Sequence, residues 1–156
     1  MPDYSLLCAQ LRSLAEISRE PIPILSNASA LLFEAMDRVN WAGFYLTRGD
    51  ALLLGPFQGK AACVLIERGR GVCGTCLDRD AVQLVPDVHA FPGHIACDSA
   101  SNSEIVLPVH DDAGAVFGVL DIDSPEYNRF TEADCLGLLA FVQTIEEILN
   151  REDDCP

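Results

Sequence analysis

The sequence predicts an α+β domain in which helices pack on one antiparallel sheet of about six strands. Three observations support this fold class. Apolar residues recur at helical spacing near both ends of the chain, they alternate with a period of two in the middle, and short turns join the alternating segments. The 156 residues favour one domain over 1–156, with a core at about 23–150 and a tail at 151–156.

The composition argues against several classes of function. The formal net charge of −14 repels nucleic acid and anionic membranes. Hydrophobic residues make up 49% of the chain, as in folded domains, yet no apolar run reaches the ~18 residues of a membrane span. The N-terminal residues carry scattered charges and no signal-peptide core, so we expect a cytoplasmic protein with mostly reduced cysteines.

Three longer helices are predicted at the two ends of the chain. Leucines at helical spacing indicate an amphipathic helix over 3–19. Pro21 ends this segment and begins a second helix, whose apolar stripe extends to Val39. Thr131, followed by acidic residues, predicts the start of a final helix that reaches about Asn150.

Six short segments with apolar or alternating patterns predict the strands of the sheet. They are 40–47, 51–55, 61–66, 82–85, 104–110 and 115–123. The segment 56–60 is expected to be a loop, and 71–79 is short enough for one or two helical turns. The last two strands are joined by 111–114 and form a hairpin. The long irregular stretch at 86–103 is unusual in a compact domain and predicts a functional loop over a pocket.

Three acidic residues lie on the predicted hairpin. Asp121 and Asp123 are two apart in one strand and therefore project from the same face. Depending on the turn, Glu104 in the other strand lies opposite Asp121 or Asp123. Like charges placed directly opposite each other destabilise a sheet, so a bound cation, a shared proton or a ligand ammonium must compensate.

The cysteines suggest redox or metal chemistry. Cys97 lies in a polar Gly-His-Ile-Ala-Cys-Asp loop, where a thiol can be reached. Cys73 lies near the start of the short helix, where backbone N–H groups and the helix dipole are expected to lower the pKa of a thiol. The spacings Cys73-x-x-Cys76 and His94-x-x-Cys97 also fit a structural zinc site. The residue pattern alone therefore leaves both chemistries open.

Several long segments, taken in order, resemble the free methionine-(R)-sulfoxide reductases, which have the GAF fold. The segments read NWAGFYL, GPFQGKAAC, GRGVCGT, VPDVHAFPGHIACDSASNSEIVLPV and GVLDIDS. The resemblance extends from near Leu25 to about Leu149. It implies a six-stranded antiparallel sheet flanked by helices and a cytoplasmic homodimer. It also implies an oxidoreductase that acts on free L-methionine (R)-sulfoxide, with no bound cofactor or metal and with thioredoxin, or dithiothreitol in vitro, as reductant.

The resemblance also implies roles for individual residues. By position, Cys97 is the nucleophile, and Cys63 and Cys73 are the other redox cysteines, either of which can resolve the Cys97 sulfenic acid as a disulfide. The implied substrate-binding residues are Trp41, Tyr45, Glu104, Asp121 and Asp123. Cys76 stands where the family pattern has a small apolar residue, and it leaves open which disulfide is the resolving one.

Two alternatives remain beside this enzyme. The first is a GAF module that binds a small ligand without converting it. The second is a zinc-stabilised interaction domain that uses Cys73, Cys76, His94 and Cys97. The three matched cysteines argue against the first alternative. Against the second, a domain of this size folds without a metal, and the zinc quartet would occupy the loop that is expected to be functional. Metal analysis of the reduced protein separates the enzyme from the zinc domain.

Overall fold

The computed structural model describes residues 1–94 and 100–150, which form a six-stranded sheet with helices on it. The elements in chain order are α1 (Tyr4–Leu14), α2 (Pro21–Ala35), β1 (Trp41–Arg48), β2 (Ala51–Gly59), β3 (Leu65–Glu67), α3 (Gly71–Arg79), β4 (Gln83–Val85), a 3₁₀ turn (Val88–Ala90), β5 (Ser103–His110), β6 (Val116–Ser124) and α4 (Glu132–Leu149). The strand order is β3-β2-β1-β6-β5-β4, and all pairs are antiparallel. The predicted fold class is therefore confirmed. None of the described helices combines the length and apolarity needed to cross a bilayer.

The first two helices are shorter than the sequence pattern predicts. α1 ends at Leu14, and Ile17, which is 94% exposed, does not continue the stripe that faces the core. α2 ends at Ala35, because Met36 adopts an extended backbone conformation although its side chain is buried. In both cases apolar residues that follow the helix belong to the connection and not to the helical face.

β2 and β3 also differ from the prediction. The segment 56–60, expected to be a loop, is mostly strand, since the β1–β2 register shifts at Pro56. Such a bulge accommodates a residue that has no N–H for the ladder. Of the predicted strand 61–66, only the last two residues pair with β2, and the segment 60–64 has no regular secondary structure. This segment carries Cys63 and is therefore a connection beside the sheet.

The sheet buries apolar side chains on both faces. One face packs against α1, α2 and α4 in a large cluster that includes Leu11, Leu32, Phe44 and Phe141. The other face packs against α3 in a smaller cluster that includes Tyr45. Because successive residues of a strand point to opposite faces, the neighbours Phe44 and Tyr45 belong to different cores.

Two local predictions are confirmed in the second half of the chain. The β5–β6 register places Glu104 directly opposite Asp123, which is one of the two predicted pairings. α4 starts at a capping box in which Thr131 Oγ1 accepts a hydrogen bond from Asp134 N and Asp134 Oδ2 accepts one from Thr131 N, both at 3.1 Å. The hairpin therefore brings the acidic residues onto the face that packs against α3.

Candidate active site

The smaller core borders a cleft that contains about 570 Å³ of space free of protein atoms, part of it open to solvent. Its described lining consists of Trp41, Tyr45, Ala61, Ala62, Ile66, Arg70, Gly71, Val72, Cys73, His94, Ser101, Glu104, Asp121 and Asp123. Six of the site residues predicted from the sequence lie in this lining, and Cys63 does not. Their individual roles remain predictions.

Two stacked aromatic rings form one wall of the cleft. Trp41 and Tyr45 are 3% and 2% exposed, and their ring centroids lie 5.9 Å apart. Trp41 also stacks on Phe57 at 5.1 Å. Gly59 pairs with Trp41 across β1 and β2, and a Cβ atom there would lie 2.6 Å from Trp41 Cδ1. The glycine thus leaves room for the indole.

The polar atoms of both rings bind the connection that carries Cys63. Trp41 Nε1 donates a hydrogen bond to the Lys60 carbonyl oxygen at 3.1 Å, and the Tyr45 hydroxyl donates one to the Cys63 carbonyl oxygen at 2.9 Å. Cys63 is half-buried, follows the lining residue Ala62, and is disulfide-bonded. Cys97, the predicted nucleophile, lies outside the described residues.

Three carboxylates form the floor of the cleft. Glu104 and Asp121 are 7% and 6% exposed, and Glu104 lies opposite Asp123. Oδ1 of Asp121 is buried and has no hydrogen-bond partner among the described residues. Burial, followed by the charges of Asp121 and Asp123, raises the pKa of Glu104 well above its ordinary value. Glu104 is therefore suited to hold a proton at a pH at which an ordinary carboxyl group has lost it, and to donate it.

The Cys73 thiol lies against these carboxylates. Its Sγ is 3.9 Å from Glu104 Oε1. Burial, followed by the charges of Asp121 and Glu104, raises the pKa of Cys73 well above its ordinary value. The expected lowering of this pKa by the helix start is therefore wrong. A helix terminus is worth about 0.3–1 kcal/mol at exposed sites, and burial beside carboxylates outweighs it.

The possible metal ligands that lie close together in the structure are not the ones that the sequence suggests for zinc. Among the described residues, ligand atoms of Cys73, Glu104 and Asp121 all lie within 4.8 Å of one another. Neither Cys76 nor His94 joins this group, and Cys97 lies outside the described residues. Cys76 is fully buried in the smaller core, and burial raises its pKa to about 12. The described members of the predicted zinc quartet do not assemble, whereas the observed trio can hold a cation such as an ammonium group.

One charged lining residue was missed from the sequence. Arg70 lies in the turn before α3 and is the only arginine or lysine in the described lining. α3 begins at Gly71 without a side-chain cap, and its first residues border the cleft. The sequence could have indicated this residue, because an arginine directly before the start of a helix attracts anionic groups.

Comparison with known proteins agrees with this architecture. The sequence model that describes the GAF domain family matches residues 20–149 of this chain. The solved structure of fRMsr from Staphylococcus aureus in its reduced form superposes with a TM-score of 0.91, at 50% identity over 96% of both chains. Fold and site therefore define a GAF-domain protein with a cleft of thiol, carboxylate and aromatic groups.

Two further relatives place the chain within the GAF proteins. The free methionine-R-sulfoxide reductase of Escherichia coli is 57% identical over 129 residues, which cover 83% of this chain and 78% of that protein. The structure of free methionine-R-sulfoxide reductase from Neisseria meningitidis in complex with its substrate superposes with a TM-score of 0.88, at 40% identity over 94% of this chain and 87% of that one. The chain belongs to the family of free methionine-R-sulfoxide reductases.

The fit of Trp41 against Gly59 can be tested by fluorescence, because Trp41 is the only tryptophan. We expect Gly59→Ala to displace the indole, shift its emission and lower the free energy of unfolding by about 1–3 kcal/mol. Gly114→Ala is the matched control, since Gly114 also has a positive φ of +82° but has no atom within 4 Å of its added Cβ. Its emission should stay that of the wild type. An unchanged emission in Gly59→Ala would contradict the tight contact.

Proposed function

We propose that this chain is an L-methionine (R)-S-oxide reductase that converts free L-methionine (R)-sulfoxide to L-methionine. The observation that carries the proposal is the cleft, which combines aromatic, carboxylate and thiol groups in a chain 57% identical to the Escherichia coli reductase. By the resemblance of the sequence, the proposal includes a homodimer in the cytoplasm and thioredoxin as reductant.

The cleft offers a complementary group for each part of a free amino acid. The carboxylates suit the substrate ammonium, and the unpartnered Asp121 Oδ1 supports this assignment. Arg70 and the uncapped start of α3 suit the substrate carboxylate. The stacked faces of Trp41 and Tyr45 suit the S-methyl group. A substrate that lacks a free amino group would leave buried carboxylates uncompensated.

In the first step, Cys97 attacks the sulfoxide sulfur and takes over its oxygen, which gives methionine and a Cys97 sulfenic acid. The oxygen cannot leave the substrate sulfur as a bare oxide, so an acid must protonate it. Glu104 is the proposed donor, because burial and the neighbouring carboxylates raise its pKa. Asp123, directly opposite, is proposed to share this proton.

In the second step, a thiol attacks the sulfenic sulfur of Cys97, which forms a disulfide and releases water. Cys63 is the proposed main resolving thiol. Two observations support this choice: Cys63 is disulfide-bonded, whereas Cys73 is free and has a raised pKa. Thioredoxin, or dithiothreitol in vitro, then reduces the disulfide by thiol exchange.

The direct test measures methionine release from free L-methionine (R,S)-sulfoxide, an equal mixture of the two sulfoxide epimers, with dithiothreitol. We expect half of this mixture to be consumed, since only the (R) epimer is a substrate, and N-acetylated methionine sulfoxide to react far more slowly, since it has no ammonium for the carboxylates. A non-catalytic GAF module would return all of the sulfoxide unchanged. Comparable rates on the free and acetylated compounds would contradict the proposed recognition.

The acids can be tested by amide replacement. We expect Glu104→Gln and Asp123→Asn each to slow methionine release in a single turnover by about 10²–10⁴-fold, because the departing oxygen loses its proton donor. Glu132→Gln, at an exposed position on α4, is the control and should retain wild-type release. An effect confined to KM would assign these carboxylates to substrate binding only.

The thiols are separated by comparing one turnover with many. Cys97→Ser should release no methionine, whereas Cys63→Ser and Cys73→Ser should each still release about one equivalent, because attack on the sulfoxide precedes resolution. Thioredoxin-coupled turnover should fall most in Cys63→Ser. Cys76→Ala should leave this turnover nearly intact, since Cys76 is fully buried and does not join the group of Cys73, Glu104 and Asp121. Single-turnover release by Cys97→Ser, or loss of recycling in Cys76→Ala, would show that the thiol assignment is wrong.

A further inference from the structure

The connection at 60–64 is held in place by side chains of the neighbouring strand. This connection carries Cys63 and has no regular secondary structure. Trp41 Nε1 donates to the Lys60 carbonyl oxygen at 3.1 Å, and the Tyr45 hydroxyl donates to the Cys63 carbonyl oxygen at 2.9 Å. On the other side of Cys63, the Val64 carbonyl oxygen accepts a hydrogen bond from Leu54 N at 2.9 Å. The backbone on both sides of the Cys63 side chain is therefore anchored to β1 and β2.

The two aromatic anchors are themselves rigid. Trp41 and Tyr45 are almost fully buried and stacked on each other, and Trp41 is backed by Phe57. Burial, followed by the negative charge of Asp121, raises the pKa of Tyr45, so its hydroxyl stays protonated and remains a donor. An irregular segment without these bonds would sample more conformations, and a thiol on it would meet its partner less often.

We propose that Tyr45, assisted by Trp41, is a positioning residue for Cys63 in the disulfide-forming step. This inference rests on the proposed function, and it gives the two rings a second role beside substrate contact. In the step concerned, the Cys63 sulfur attacks the sulfenic sulfur of Cys97. The S–S bond forms, the S–O bond breaks, and the hydroxyl group leaves with the thiol proton as water. Loss of one such hydrogen bond corresponds to about a 2- to 12-fold change in rate.

The test measures how the sulfenic acid partitions, because this ratio does not depend on how fast it forms. Reduced protein is given one equivalent of free methionine sulfoxide together with a fixed concentration of a cyclic 1,3-diketone, which traps sulfenic acids. Mass spectrometry then gives the ratio of Cys63-containing disulfide to trapped Cys97. We expect Tyr45→Phe, which keeps the ring and removes only the hydroxyl, to lower this ratio about 2- to 12-fold.

Two further variants complete the test. Tyr4→Phe is the matched control, because Tyr4 also donates a hydroxyl hydrogen bond, to Asp134 Oδ1 at 2.8 Å, but lies at the opposite core. Its ratio should equal that of the wild type. Trp41→Phe removes the second anchor and should also lower the ratio, which keeps the test decisive if Tyr45→Phe does not fold.

The outcomes separate this inference from the function on which it rests. A wild-type ratio in both Tyr45→Phe and Trp41→Phe would overturn the positioning role and leave the reductase intact. An equal decrease in Tyr4→Phe would also overturn it, since the effect would then be a general loss of stability. Absence of methionine release by the wild-type protein would instead reject the proposed function. Release without a disulfide at Cys63 in the wild type would reject both the resolving role of Cys63 and this inference.

Discussion

The buried carboxylates of the β5–β6 hairpin are the constraint on which the rest of the site depends. Glu104 lies opposite Asp123, and Glu104 and Asp121 are both buried where they line the cleft. Like charges in this position repel each other, so the group must hold a proton or meet a cation. The same charges, together with burial, keep Cys73 a thiol. A ligand with an ammonium group would relieve this repulsion and an uncharged ligand would not, so selectivity for free amino acids would follow directly from the strand register.

The helical layer on the opposite face of the sheet stabilises the strands that carry these buried carboxylates. Phe44, Leu120 and Ile122 are almost fully buried there, and they alternate along β1 and β6 with the residues that line the cleft. Burial of each such side chain contributes about 1.5–3 kcal/mol. Because the two sets share the same strands, the backbone beneath the cleft is fixed by the larger core. The site therefore obtains its rigidity from residues that do not touch it.

Local signals explain what was predictable from the sequence. The period-two alternation and the capping box at Thr131 depend on neighbouring residues, so the hairpin with its three acidic residues and the start of α4 followed from the pattern. The pattern also indicated the thiols of Cys73 and Cys97, whereas Cys63, the two aromatic residues and the individual roles came from the family resemblance. The errors have tertiary causes. The prediction of a loop at Pro56 is wrong because a bulge in a paired strand cannot be recognised from one strand alone. The pKa of Cys73 was predicted in the wrong direction because its burial and its carboxylate neighbours come from other parts of the chain.

The connection at 60–64 is a further place where the sequence pattern predicts the wrong local structure, and here the structure shows the reason. Its apolar residues have the pattern of a strand. Its backbone, however, accepts hydrogen bonds from the side chains of Trp41 and Tyr45, and the sequence pattern does not predict these bonds. Tryptophan and tyrosine combine a flat apolar face with a single hydrogen-bond donor at the rim. Phenylalanine offers the face without the donor. If the faces contact substrate while the donors hold Cys63, the identity of each ring is constrained twice, and substitutions that reshape the substrate pocket would also change how fast the sulfenic acid is resolved.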